Sequence, residues 1–334
     1  MPARRRSRKI SFLRWRRLRM RCDDACRQIY DFFHRSADRY AVHAAIGPLI
    51  ARLCTDREFL HDALRQAIIR SEFLACVAVL SLPIFESGDI SLVINLFPPL
   101  RDRTPDVAAD YIHHHGWRLL STGIILGAYD TIQFERGSHR DRTDGVPHLR
   151  VDSLTRHSSD QVMFVDSHTP HLVFHPPALT ATLALWSADR RMINQAIKRS
   201  LGTLPAVRRI ATRTIRRLGL GGRLGLNETS GVFYRPIQGR IVEVPHDGEL
   251  DVDREEAIAC VLKFMQLIRF DDRGFLDCLQ ARIPTHAAQI AQIPSGDPLA
   301  DTGIRGNPKR QFTRREVLDA IEQDGLHPPA LQPR

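Results

Sequence analysis

The chain has 334 residues, with 48 Lys and Arg against 38 Asp and Glu, and a formal net charge of +10. It contains no run of about 18 or more apolar residues, which excludes a transmembrane helix by length, and no apolar segment follows its basic start, which excludes a secretory signal peptide. We therefore predict a cytoplasmic protein, long enough for one large domain or two ordinary ones.

The first 21 residues are predicted to be a basic flexible arm. They include ten basic residues and no acidic one, and taking these ten from the 48 leaves 38 charges of each sign, so the excess charge belongs to the arm. A block of like charge is typical of a solvated arm, and residues 4–21 are also candidates for contact with nucleic acid or an anionic lipid surface. Apolar residues alternate with the basic ones, so a short amphipathic helix is an alternative prediction for this segment. The composition also matches that of a mitochondrial transit peptide.

Residues 22–84 are predicted to be helical and to pack on the domain that follows. Apolar residues recur at helical spacing within residues 23–45 and 56–81, and Asp56 is placed to cap the second of these helices. The six cysteines lack the spacing of a metal site, so we expect them to be thiols in a reducing compartment.

Residues 85–188 show the pattern of a barrel built from short strands. Apolar or alternating runs are separated by glycines and prolines, which is typical of strands joined by turns. A mostly polar insertion occupies residues 136–160.

Two histidine motifs lie at the edges of these strands. Side chains alternate along a strand, so His113 and His115 point to one face, whereas His114 points to the other. His171, on a neighbouring predicted strand, is the best candidate for a third imidazole. Three neutral imidazoles suit zinc, copper, iron or nickel and leave positions for water, dioxygen or substrate. Among fifteen histidines, a local cluster is alternatively explained as solvated polar surface.

These motifs resemble those of the cupin superfamily, whose fold is a small double-sheet jelly-roll barrel. His113 and His115 fill the H-x-H pair of the first cupin motif, Gly127 falls at its glycine, and His171 matches the histidine of the second motif. Leu120 stands where the family has a glutamate. The resemblance covers the middle third of the chain and implies an α+β fold, with a cupin-like barrel flanked by N-terminal and C-terminal helices.

Within the cupins, a three-histidine site without the acid is similar to that of the thiol dioxygenases, the cysteine dioxygenase group. This resemblance implies that His113, His115 and His171 hold Fe(II), with another divalent transition metal as the alternative. It implies a mononuclear non-heme oxygenase, that is, an oxidoreductase, acting on a small anionic substrate such as a thiol. Glu86 stands near the position of the arginine that holds the substrate carboxylate in that group, so the substrate itself is not predicted.

Further residues are predicted to serve the same site. We expect His168 and His175 to lie just outside the ligands and to support catalysis. We expect Trp117, Tyr129 and Trp186 to border the substrate.

The C-terminal part is predicted to be mainly helical. Residues 189–292 combine helical spacing with a β-hairpin whose turn is Gln238-Gly239, and Asp253 is placed to cap a helix. Residues 293–334 are predicted as a linker followed by a short helix, which begins with the capping-box pattern from Thr313 to Glu316.

Two classes of function remain open from the sequence. In the first, the protein is the metal-dependent oxygenase described above. In the second, the barrel is a catalytically inactive scaffold, and the protein is a regulatory or assembly factor that uses its helices and basic arm. The H-x-H spacing favours the first class, and the charged arm favours the second. The fold alone does not decide between them, because one fold can carry many functions.

Overall fold

A computed structural model describes residues 21–36, 38–70, 80–87, 90–116, 118–143, 145–159, 161–189, 233–245, 252–297, 299–300 and 302–323. The basic arm up to residue 20, Trp117 and the helical spacing predicted within residues 190–232 lie outside this part of the chain.

Helices occupy both ends of the described chain, and several begin at the predicted capping residues. The helical prediction for residues 22–84 is wrong at its end, because residues 80–84 already belong to a strand, and the helical spacing within 23–45 corresponds to two helices. Asp56 accepts a hydrogen bond from a backbone N–H in the first turn of the helix Arg57–Arg70 (3.1 Å), Asp253 forms a capping box with Glu256, and Thr313 forms one with Glu316. In the described residues, no helix combines the length and the apolar composition that a membrane span requires. The helices are α1 (Cys22–Arg35), α2 (Arg39–Thr55), α3 (Arg57–Arg70), α4 (Arg254–Leu267), α5 (Arg273–Arg282), α6 (Ala287–Gln292) and α7 (Arg314–Gln323).

The strands between them form two large antiparallel sheets. The strands are β1 (Leu80–Ser87), β2 (Ile90–Phe97), β3 (Ile112–His113), β4 (Arg118–Leu126), β5 (Tyr129–Phe134), β6 (Arg142–Thr143), β7 (Val146–Pro147), β8 (Val151–His157), β9 (Val162–Val165), β10 (His171–Val173), β11 (Thr180–Ala188), β12 (Phe233–Ile237) and β13 (Arg240–Val244). The five-stranded sheet has the order β1-β2-β11-β4-β9, and the six-stranded sheet has the order β13-β12-β3-β10-β5-β8. Strands β6 and β7 pair with each other.

The two sheets face each other across a barrel interior. Phe97 and Ile124 from the five-stranded sheet form one apolar cluster with Tyr129 of the six-stranded sheet, and Val173 packs against it. The predicted α+β class, with a cupin-like double-sheet barrel flanked by helices, is confirmed.

Helix α2 crosses the outer face of the five-stranded sheet at close range. A Cβ added at Gly123 in β4 would lie 2.8 Å from the Sγ of Cys54 and 3.1 Å from the Cγ2 of Ile50, so only glycine permits this approach. Buried side chains of α1 to α6 share one apolar core with outward-facing residues of the sheet such as Leu183 and Leu185. This core holds the helices against the barrel.

The hairpin of β12 and β13 extends the six-stranded sheet beside β3. Its turn residues Gln238 and Gly239 both have positive φ (51° and 74°), which a two-residue hairpin turn of this kind requires. Phe233 in β12 pairs with His113 in β3. The predicted hairpin is therefore present, and it lies next to the H-x-H motif.

His43 anchors α2 to the sheet beneath it. Its Nδ1 lies 2.7 Å from the Oγ of Ser121 in β4, and its Nε2 lies 2.9 Å from the Oγ of Ser187 in β11. Burial, and secondly the charge of Arg39, lower the pKa of His43 to about 4. The imidazole therefore stays neutral in the folded protein at pH values where an unfolded chain already binds a proton.

This difference predicts a pH dependence of stability. The folded pKa of His43 lies below the ordinary 6.5, so its contribution is present above pH 6.5 and is lost as the pH falls towards 4. In urea titrations across this window, His43→Gln should show a smaller acid-induced loss of unfolding free energy than the wild type, by up to about 3 kcal/mol. Parallel curves for the two proteins would contradict the assignment.

Candidate metal centre

The structure brings His113, His115 and His171 together between the two sheets. His113 pairs directly with His171 across β3 and β10. The ring centroids are 4.9 Å apart for His113 and His115, 4.6 Å for His113 and His171, and 4.5 Å for His115 and His171. One ligating nitrogen from each residue lies within 4.8 Å of the other two, so a single ion can reach all three.

Backbone carbonyls orient two of these imidazoles. The Nδ1–H of His113 donates to the carbonyl of Tyr111 (2.9 Å), and the Nδ1–H of His171 donates to the carbonyl of Thr169 (3.1 Å). With the proton held on Nδ1, the lone pair of Nε2 is available in both rings. The Nε2 of His115 lies 2.9 Å from the Nε2 of His171, so the third imidazole reaches the same point.

The surroundings of His115 and His171 favour their neutral form. Burial, followed by the effect of His113, lowers the pKa of His171 to about 3. Burial also holds the pKa of His115 well below its usual value, and the neighbouring imidazoles and Arg118 lower it further. Neutral imidazole is the form that binds metal ions, so these two side chains can act as ligands near neutral pH.

The walls around the cluster are largely aromatic and apolar. The indole of Trp186 meets the ring of His115 edge-on, with 4.3 Å between centroids, and Trp186 pairs across the sheet with Leu120. Leu120, at the position of the cupin glutamate, is 7% exposed and packs with Val165 and Ala184. At this position the chain therefore supplies an apolar wall.

The other predicted site residues lie at different distances from the three imidazoles. Tyr129 is in the barrel interior, where its ring packs on Phe97 (4.9 Å) and its hydroxyl is 3.0 Å from the Nδ1 of His157. His175 lies four residues beyond His171, about 13 Å along an extended backbone, and its Nδ1–H donates to the carbonyl of Pro98 (3.1 Å). Trp117 is outside the described residues.

A second cluster of three histidines lies on the opposite side of β3. His114 points away from its two neighbours, as strand alternation predicts, and joins His139 and His168. His168, which the sequence predicts just outside the ligands of the first cluster, belongs to this second group, with its ring 5.5 Å from that of His114. All three members are buried, and one ligating nitrogen from each lies within 4.8 Å of the others.

Sequence reasoning missed two residues of these clusters. His139 lies in a short 3-10 helix (Ser138–Arg140) inside the polar insertion, where no periodic pattern indicated burial. Phe233, 6.1 Å from His113 between ring centroids, comes from the C-terminal hairpin, and only the pairing of β12 with β3 places it there. No local sequence signal could have found it.

Comparison with known proteins adds little to this geometry. No protein-family model matches the sequence, and no curated protein matches it. Solved structures with partial similarity include the cupin domain of Cnp3 from Schizosaccharomyces pombe, with 9% identity and a TM-score of 0.27 over 40% of this chain and 77% of that chain. A second is the DMSP lyase DddQ from Ruegeria pomeroyi DSS-3, with 14% identity and a TM-score of 0.23 over 34% of this chain and 49% of that chain. A third is KdgF from Halomonas sp., with 15% identity and a TM-score of 0.24 over 34% of this chain and 82% of that chain.

The fold and side chains of this chain define a cupin-like barrel with a cluster of three histidines between its sheets.

Proposed function

We propose that the protein is a mononuclear non-heme metal enzyme of the oxygenase type. In this proposal His113, His115 and His171 bind a divalent transition metal ion, with Fe(II) as the first candidate. The substrate is a small anion such as a thiol. The observation that carries the proposal is the convergence of three ligating nitrogens, two of them on rings oriented by backbone carbonyls.

The donor set fits such an ion. Three imidazole nitrogens within 4.8 Å of one another match the protein part of a catalytic site, which needs open positions as well as ligands. When bound, the ion supplies a Lewis acid with positions for substrate and dioxygen. The carbonyls of Tyr111 and Thr169 keep the protons of His113 and His171 away from it.

The residues around the ligands favour a small anionic substrate. Neutral imidazoles add no negative charge, so the loaded site is cationic as a whole. Trp186 and Leu120 exclude water on one side, which strengthens attraction for an anion in a less polar interior. Burial raises the pKa of Tyr129, so its phenol stays neutral and adds no negative charge to the barrel interior.

The test of this proposal is oxygen uptake by the ferrous protein. We expect uptake only when a suitable member of a panel of small thiols and carboxylates is present, because the substrate must occupy the site before dioxygen reacts. An oxygen electrode measures the rate. His34→Ala is the matched control, because His34 is an exposed histidine on α1 and its removal should leave uptake unchanged.

Two outcomes would contradict the proposal in different ways. Iron bound at the cluster without uptake for any member of the panel would remove the oxygenase reaction and favour the scaffold alternative. Uptake that survives His171→Ala would show that the reaction takes place elsewhere.

A further inference from the structure

The second histidine cluster is assembled by three separate segments of the chain. His114 lies between β3 and β4, His139 lies in the 3-10 helix, and His168 lies in the turn between β9 and β10. They are 3%, 5% and 2% exposed, respectively. All three side chains therefore lie in the interior of the protein.

Backbone hydrogen bonds tie these segments to each other. The N–H of His168 donates to the carbonyl of Gly116 (3.0 Å), and the N–H of Gly137 donates to the carbonyl of His168 (2.9 Å). His168 itself has a φ of 59°, a conformation that non-glycine residues seldom adopt and that the two flanking contacts hold in place. The three imidazoles are therefore positioned by the fold.

This cluster is separate from the first one. His114 has the same strand parity as Ile112, which packs with Tyr234, Ile241 and Val317 on the outer face of the six-stranded sheet. The ring of His139 is 4.2 Å from that of His114 and 6.5 Å from that of Tyr234. The first cluster lies in the barrel interior, on the other side of the same strand.

We propose that His114, His139 and His168 form a second metal site, which binds zinc or a similar divalent transition ion. The donor set is three buried imidazole nitrogens within 4.8 Å of one another, the ligand type that such ions accept. An ion here joins the H-x-H segment, which begins in β3, to a 3-10 helix and a turn that are distant in sequence. Its role is therefore structural: from the outer face of the six-stranded sheet, it holds the backbone of His113 and His115 in position.

One hydrogen bond of His114 affects how an ion binds at this site. The N–H of Gly116 donates to the Nδ1 of His114 (3.0 Å), so the proton of neutral His114 is on Nε2. Binding an ion through Nε2 moves this proton to Nδ1 and releases the Gly116 contact. Binding of the metal is thus coupled to the backbone between His114 and His115.

The test compares the zinc content of full-length variants after equilibrium dialysis, by elemental analysis. The wild type should bind two ions per chain, and His113→Ala/His171→Ala should bind one. His139→Phe, which keeps a buried aromatic ring, should also bind one, and so should His168→Asn, because asparagine tolerates positive φ. Combining His139→Phe with the first pair should leave none.

A second measurement covers the risk that a variant is poorly folded. With the first cluster removed by His113→Ala/His171→Ala, zinc should still raise the melting temperature, because an ion that binds only the folded state stabilises it. Adding His139→Phe should abolish that increase while the circular dichroism spectrum stays unchanged.

The results separate this site from the proposed function. Equal zinc content and equal thermal shift with and without His139→Phe would overturn the second site and leave the three rings as an aromatic stack. Loss of zinc on His139→Phe but not on His113→Ala/His171→Ala would support the second site and remove the first.

Discussion

His171→Ala is expected to weaken metal binding at the cluster of His113, His115 and His171 by about 100-fold or more. The substitution removes the imidazole whose Nε2 lies 2.9 Å from that of His115, together with its contact to the carbonyl of Thr169. Groups that merely orient a ligand typically change affinity by about 10–100-fold, so loss of a ligand should cost about 100-fold or more. Competition with a chelator measures the affinity, and turnover should disappear with the metal.

Two further variants control this result. His34→Ala removes an exposed histidine and should leave the affinity unchanged. His175→Ala removes a half-buried imidazole near the same strand, and because it lies about 13 Å from His171 along the backbone, its effect should be below about tenfold. An affinity that is equal in His171→Ala and the wild type would contradict the ligand assignment.

Asp110→Ala is expected to lower the unfolding free energy by about 3 kcal/mol. Arg310 is 1% exposed, lies over the ring of Tyr111 at 5.3 Å and is 3.7 Å from the Oδ1 of Asp110. Removing this carboxylate leaves less negative charge against a buried guanidinium, which is costly in a medium of low polarity. Because Asp110 and Tyr111 directly precede β3, the same change should also loosen His113. Chemical denaturation and metal affinity report the two effects.

The controls for this prediction are another ion pair and another variant. Asp31 pairs with Arg35 at 3.4 Å on the exposed surface of α1, and Asp31→Ala should cost less than about 1 kcal/mol. Arg310→Met removes the buried charge itself and keeps most of the volume, so it should be less destabilising than Asp110→Ala. The reverse order would show that Arg310 contributes mainly through other contacts.

Local features of the fold could be predicted from the sequence. The caps at Asp56 and Asp253 and the hairpin turn at Gln238-Gly239 depend on the backbone of a few consecutive residues, and each was found where expected. The opposite orientation of His114 relative to His113 is also local, because it follows from strand alternation alone. The contact of residues 4–21 with nucleic acid or anionic lipid stays a prediction.

The polar insertion shows where the sequence signal is weak. Residues 136–160 include β8, which lies at the edge of the six-stranded sheet and pairs with β5. An edge strand is half exposed, so its polar residues do not alternate with apolar ones as they do in the centre of a sheet. His139 is buried within the same insertion, in a 3-10 helix, and it could not be distinguished from a surface histidine because no apolar period surrounds it.

The sequence by itself determined the capped starts of three helices, at Asp56, Asp253 and Thr313, together with the hairpin turn and the shared face of His113 and His115, because these depend on neighbouring residues. Only the tertiary structure decided that His171 pairs with His113, that Phe233 lies beside them, and that His139 and His168 gather behind them. These contacts join residues far apart in the chain, and the register of the strands and the packing of loops against the sheet select them from many alternatives.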